Sequence, residues 1–275
     1  MTRPSRVVID KQALIHNLQR VRELAPSAKV MAVIKADAYG HGIVRTAQTL
    51  KDADAFGVAC LEEAEELRAA GITNRIVLLE GPHKAIDLNR IVELRLDIVI
   101  HNELQVENLE QASLDESLQV WLKIDTGMHR LGVSIDKAEG LLERLNNCSN
   151  VKTSPKLMTH FATANEIDNS LTQQQLELFN QFCSELAYEK TLANSAAVIN
   201  FSETHAEWIR PGLMLYGVSP MQDELASDHD LKPVMTLESE IISIQHLCKG
   251  DSVGYGATWR CPEDMPVGVV AAGYG

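Results

Sequence analysis

The chain has 275 residues, 45% hydrophobic and 23% charged, which suits a globular α/β protein with one large barrel or two mid-sized domains. Its formal net charge of −13 repels phosphates, which argues against nucleic-acid and anionic-membrane partners. No apolar run is long enough for a membrane span, and MTRPSRVVIDKQAL lacks the apolar core of a secretory signal. Five scattered cysteines never form a CxxC pair, so reduced thiols, a cytoplasmic location and no metal site are expected.

In chain order, residues 1–10 read as a strand that joins a later β domain. From about residue 11 helical patterns alternate with short apolar runs. The candidate strands are VMAVIKA (30–36), AFGVA (55–59), IVLLE (76–80), DIVIH (97–101), LQVWLKID (118–125), KLMTHFA (156–162), TLANS (191–195) and EWIRP (207–211). Segments with helical spacing lie between most of them, such as LEEAEELRAAG (61–71), with glycine as a stop, and SLTQQQLELFNQFCSELA (170–187). Runs that are apolar throughout suit a parallel sheet buried on both faces. Eight strands, each followed by a helix or helix-like turn, predict a TIM-like (β/α)8 barrel over 11–230, with a doubly wound open sheet as the alternative. After residue 230 the texture becomes β-rich with glycine turns and no intervening helix. This predicts the beginning of a C-terminal β domain over 231–275.

The chemistry concentrates in AVIKADAYGHG (32–42). A lysine closing an apolar strand either snorkels at a rim or is desolvated, with a lowered pKa that lets it attack a carbonyl. The two glycines and the tyrosine after Lys35 are expected to allow a tight turn where backbone approaches a ligand.

AVIKADAYGHG resembles the pyridoxal-phosphate lysine signature of the alanine racemases, fold type III cofactor enzymes. The likeness continues, in the family's order, through WLKIDTGMHRLG (121–132), LMTHFATA (157–164), NSAA (194–197), WIRPGLMLYG (208–217) and GYGATW (254–259). It implies an isomerase that interconverts L-alanine and D-alanine, supplying D-alanine for peptidoglycan, with pyridoxal 5'-phosphate as cofactor. Lys35 would hold the cofactor, and Tyr39 would help hold its phosphate. Ser195 and the backbone at Gly212 and Leu213 would complete the phosphate cradle. His160 would stack on the pyridine ring. Arg130 would meet the cofactor's phenolic oxygen and the substrate carboxylate, and Lys123 matches a lysine that several members carry as a carbamate.

Arg210 would face the pyridine nitrogen, where many other pyridoxal enzymes place a carboxylate. An arginine keeps its proton, so the ring is a weaker electron sink, which favours return of the proton to Cα and hence racemisation. Lys35 and Tyr255 would act on opposite faces, the lysine on D-alanine and the tyrosine on L-alanine. Tyr255 would come from the partner subunit of a head-to-tail homodimer. Without their motifs these residues have plainer readings. Tyr39 is a packing rim aromatic, Lys123 pairs with Asp125, His160 is a satisfied core residue, Arg210 pairs near Glu207, and Tyr255 is a turn residue.

The family's pattern continues beyond GYG, so the sequence is expected to be cut before its natural end. The 275-residue form is therefore expected to bind cofactor weakly, to racemise poorly and to dimerise differently. The alternatives are a racemase of broader or serine specificity and a non-catalytic pyridoxal-phosphate-binding barrel. A decarboxylase of the same fold type conflicts with Arg210, because those enzymes present glutamate to the pyridine nitrogen.

Overall fold

A computed structural model describes residues 4–152 and 154–273. The chain divides into two compact units, Asp10–Val234 and a second formed by residues up to Ile9 together with those from Met235 onward.

The larger unit is a closed barrel of eight parallel strands. They are β1 (Lys29–Val33), β2 (Ala55–Val58), β3 (Arg75–Leu78), β4 (Leu96–Ile100), β5 (Val120–Asp125), β6 (Lys156–Met158), β7 (Lys190–Thr191) and β8 (Trp208–Ile209). Each pairs with the next, and β8 returns to β1 through Trp208↔Lys29 and Ile209↔Val30, which closes the ring. The barrel expectation therefore holds, and the open doubly wound sheet is excluded. Helices follow the strands, among them Leu61–Ala69, Glu103–Gln111, Ile135–Asn147 and Ser170–Phe182.

The interior is solid. Met31, Ala55, Val77, Val99, Trp121, Met158 and Trp208 form a fully packed layer, with the two indoles edge-to-face at 5.5 Å. Large aromatic side chains dominate the energetics of such a core. The strand starts are sealed by charge. Lys156 Nζ lies 4.8 Å from both indole rings and 2.5 Å from Glu189. Glu189 also accepts from Lys29 Nζ (2.8 Å) and Trp208 Nε1 (2.9 Å), while Arg75 and Trp121 converge on Asp97. With that end plugged, the opposite end of the barrel, where the strands finish, is free to hold a cavity.

Most strands are shorter than the apolar runs that announced them. The run 156–162 is strand over Lys156–Met158 alone, because the Thr159 and His160 carbonyls leave the ladder to serve Arg210 and Gln175. The last two runs, 191–195 and 207–211, yield two-residue strands at 190–191 and 208–209. The helix expected over 61–71 spans Leu61–Ala69, with Gly71 at φ +80 beyond it, and that over 170–187 ends at Phe182.

In the smaller unit, Arg6–Ile9 pairs antiparallel with Met235–Glu238. Ile241–Leu247 pairs with Met265–Val270, and Ser252–Val253 pairs with Trp259–Arg260.

Candidate active site

A cavity of about 480 Å³ lies at the strands' C-terminal end. Its lining includes Lys35, Tyr39, Lys123, Arg130, His160, Ser195, Arg210, Gly212 and Leu213. These side chains come from loops after five different strands, β1, β5, β6, β7 and β8, or from a strand's last turn, so closure of the barrel is what brings them together.

Lys35 sits two residues past β1, where the chain makes an unusual turn. Ala36, Asp37, Ala38 and Tyr39 are all left-handed, with φ between +52 and +54. The turn expected of the two glycines and the tyrosine is present, but it starts earlier and runs through alanine and aspartate as well. Gly40 and Gly42 do have positive φ, but four consecutive non-glycine residues carry most of it. A left-handed turn costs on the order of 1–2 kcal/mol per L-residue, so surrounding bonds must impose it. Several do. Ala36 N–H donates to Glu63 Oε1 (2.5 Å), Ala38 N–H to the Ile34 carbonyl (2.9 Å), and Ile43 N–H to Asp37 Oδ1 (2.7 Å). Beneath the turn, Tyr216 donates its hydroxyl to the Val33 carbonyl (3.1 Å) and stacks on Tyr39 and His41. Partial burial raises the Tyr39 pKa, which keeps its hydroxyl a donor.

Arg210 is 5% exposed and thoroughly held. Its guanidinium donates to Thr191 Oγ1 (2.6 Å), the Thr159 carbonyl (2.6 Å), the Leu192 carbonyl (3.2 Å) and His160 Nδ1 (3.2 Å). Burial pulls its pKa down to about 9, which leaves it cationic at neutral pH. The pairing with Glu207 is absent, since that carboxylate accepts the Lys190 N–H. His160 is pushed well below the usual histidine pKa by burial and by the charges of Arg210, Lys123, Arg130 and Lys35. Its imidazole is neutral.

Lys123 is 7% exposed, near the end of β5. Burial, then the charges of Arg210, Arg130 and Lys35, lower its pKa to about 8, against a small opposing effect of Asp125. Asp125 is engaged elsewhere. One of its oxygens accepts the N–H groups of Gly127, Met128 and His129, and the other meets the His129 ring. The carboxylate thus shapes the loop that presents Arg130.

On the β7 and β8 side, Ser195 Oγ accepts N–H groups from Gly212 (2.9 Å) and Met214 (3.3 Å), so its own proton faces outward as a donor. A methyl group on Gly212 would come within 2.7 Å of Tyr39 Oη, so the missing side chain is what admits the phenol. A serine hydroxyl, a phenol and close backbone beside four cations make a site deficient in negative charge. The donor set suits a phosphate ester joined to an electrophilic ring, which an amine such as Lys35 could hold and to which the Arg210 guanidinium could donate.

Tyr255 lies in the smaller unit, in a short helical turn over Tyr255–Ala257, and is 94% exposed. The cavity lining comes from Asp10–Val234 and does not include it. The polar scaffold under the site, Thr159, Thr191, Glu63 and Asp37, escaped the sequence reading. The available signal was two threonines within apolar runs, one acid just past a run, and Glu63 in the first turn of the helical segment 61–71.

This fold and donor set define a barrel enzyme of the pyridoxal-phosphate class. Residues 9–220 match the family model "Alanine racemase, N-terminal domain" and residues 234–275 match "Alanine racemase, C-terminal domain". The chain is 49% identical over 270 residues to the biosynthetic alanine racemase of Escherichia coli (strain K12) and 50% identical to the alanine racemase of Shewanella loihica, in each case over 98% of this chain and 75% of the relative. The crystal structure of the biosynthetic enzyme from Pseudomonas aeruginosa superposes with a TM-score of 0.93 at 43% identity, covering 98% of this chain and 75% of that one. The chain belongs to the alanine racemase family, pyridoxal-phosphate-dependent isomerases that interconvert L-alanine and D-alanine.

Proposed function

We propose that the residues gathered in the cavity carry alanine racemisation in the roles their positions suit. When bound, pyridoxal phosphate draws electrons from Cα of an attached amino acid and so acidifies its Cα–H. The amine of Lys35 anchors the cofactor and moves a proton at Cα on one face, that of D-alanine. The partner subunit's Tyr255 acts on the other face, so the working form is a head-to-tail homodimer. Proton removal on one face and delivery on the other need two groups, because one side chain does not reach both.

Tyr39, Ser195 and the backbone of Gly212 and Leu213 bind the phosphate. The neutral His160 ring would stack on the cofactor's ring. Arg210 would donate to the cofactor's ring nitrogen without giving up its proton, which would limit electron withdrawal and favour reprotonation at Cα over competing outcomes. Arg130 receives the substrate carboxylate and the phenolic oxygen. Carbamylation of Lys123 turns one of four clustered cations into an anion beside Arg130, and its lowered pKa supports that chemistry. Residues 11–230 act as the cofactor domain, and 231–275 with the first ten residues act as the β domain. The relatives' biosynthetic designation points to D-alanine supply for the cell wall, in the cytoplasm; among the described residues no helix is long and apolar enough to cross a membrane.

The observation that carries this reading is the convergence of Lys35, Arg210 and the Ser195–Gly212 cradle on one cavity. Exchange of the D-alanine Cα–H in deuterated water tests it, since exchange needs a single base and reads Lys35 apart from Tyr255. Cofactor-dependent exchange is expected, reduced at least 10³-fold in Lys35→Ala, in line with the removal of a general base. Equal exchange in the variant contradicts the reading.

A further inference from the structure

β1 and β2 are neighbours in the barrel, and their last backbone rung is Ile34 N–H to the Gly57 carbonyl, 2.9 Å. Just beyond it, one carboxylate serves both chains. Glu63 Oε1 accepts the Ala36 N–H at 2.5 Å, and Oε2 accepts the Ala59 N–H at 2.8 Å. Glu63 stands in the first turn of the helix Leu61–Ala69 and is half-buried. Its position is fixed by that helix, itself built on β2.

The Ala36 N–H belongs to the peptide plane that Lys35 shares with the first of the four left-handed residues. Holding that N–H fixes the plane, and with it the φ of +53 at Ala36. If the bond is lost, the Ala38 N–H to Ile34 carbonyl bond still closes the turn but does not hold the Lys35–Ala36 peptide itself, so Ala36 can relax toward negative φ, where an L-residue is favoured. The Lys35 peptide then rotates and its side chain enters the cavity from a different angle. Asp37 secures the far end of the turn through Ile43 N–H, but it lies past the peptide in question.

We propose that Glu63 is a positioning residue for the reaction, its two-oxygen clamp on Ala36 and Ala59 aiming the Lys35 amine. The inference rests on the reading of Lys35 as the cofactor-bearing base. Two acceptors are needed at once, one per N–H. A glutamine of the same size keeps the packing but turns an NH2 group toward one of the two donors.

The test uses the pyridoxal-phosphate-loaded protein, comparing wild type, Glu63→Gln and, as a control, Glu62→Gln on the exposed neighbour. Misplacement of a reacting group by about 1 Å costs roughly 10²-fold in rate, so kcat for D-alanine Cα exchange in Glu63→Gln is expected to fall by that order. KM for alanine should change less than threefold. The pH midpoint of the visible band of the Lys35-attached cofactor should move, and Glu62→Gln should stay within twofold of wild type. A purely structural glutamate would lower Tm and leave kcat and the midpoint alone, which would overturn the proposal. Should Glu63→Gln fail to fold, amide exchange on the wild-type protein decides: slow exchange at both Ala36 and Ala59 supports the clamp, and fast exchange at Ala36 refutes it. Failure of the wild type to attach cofactor at Lys35 would instead remove the reading on which this rests.

Discussion

Arg210 Nη2 lies 3.2 Å from His160 Nδ1. A guanidinium can only donate, so the imidazole accepts at Nδ1 and carries its proton on Nε2. The same contact sets the ring's charge, because protonating Nδ1 would turn the bond into a donor–donor clash beside a cluster of cations. His160 is therefore expected to remain the neutral Nε2–H tautomer from pH 6 to 8, as read by nitrogen NMR of the labelled imidazole. An imidazolium in that range would contradict the geometry.

Replacing Arg210 with lysine removes the planar fork and leaves the Thr159 and Leu192 carbonyls short of donors in a buried setting. Each buried acceptor left unpaired costs about 1–3 kcal/mol, so a fall in Tm and weaker cofactor binding are expected. Arg210→Glu should also raise the share of transamination relative to racemisation, measured as pyruvate formed per turnover.

The Gly212 position gives a steric test. Gly212→Ala puts a methyl group 2.7 Å from Tyr39 Oη, and the phenol, at the end of its side chain, is the part that must move. Cofactor Kd is expected to rise at least tenfold, about 1.4 kcal/mol, in a spectroscopic titration, with Tm little changed. Removing the hydroxyl as well, with Tyr39→Phe, should relieve the crowding without restoring the phosphate contact.

Lys123 is expected to respond to pH and bicarbonate together. Its pKa of about 8 means the free amine, the form that reacts with carbon dioxide, grows as pH rises through 8. Labelled bicarbonate should give a carbamate carbon signal that is stronger at pH 8.5 than at pH 7 and absent in Lys123→Arg. A signal unaffected by that substitution would place the modification elsewhere.

The plug at the opposite end predicts an acid-stability signature. Burial alone would raise the Glu189 pKa, but hydrogen bonds from Lys156, Lys29 and Trp208 outweigh it and hold the value at about 2. A carboxylate whose folded pKa is depressed contributes stability that is present above its unfolded pKa, near 4.3, and lost as pH falls from there toward 2. Glu189→Gln should therefore lower Tm at pH 7 by a few degrees, about 1 kcal/mol after allowing for partial exposure, with the difference shrinking below pH 4. A gap that stays undiminished down to pH 2 would show that the effect is packing and not charge.

The barrel was legible because its middle strands are continuous apolar runs, and Ile76–Leu78 and Ile98–Ile100 are fully or almost fully buried, as such runs require. β7 and β8 were harder to see, since strands of two residues leave little pattern. The candidate site residues were legible through motif likeness, and the structure sets nine of them around one cavity. The turn after Lys35 was not legible. Alanine, aspartate and tyrosine carry no preference for positive φ strong enough to announce it, and among the bonds that hold the turn is one to Glu63, about one barrel unit further along the chain. The anchoring of Arg210 was hidden for a similar reason, because Thr159 and Thr191 read as ordinary strand residues until the barrel closes them onto it.

Borohydride reduction of the cofactor-loaded protein, followed by peptide mass mapping, tests the central claim most directly. The account expects the pyridoxyl phosphate group on the peptide containing Lys35, with none trapped in Lys35→Ala. Labelling of another lysine in wild type, such as Lys123, would contradict it.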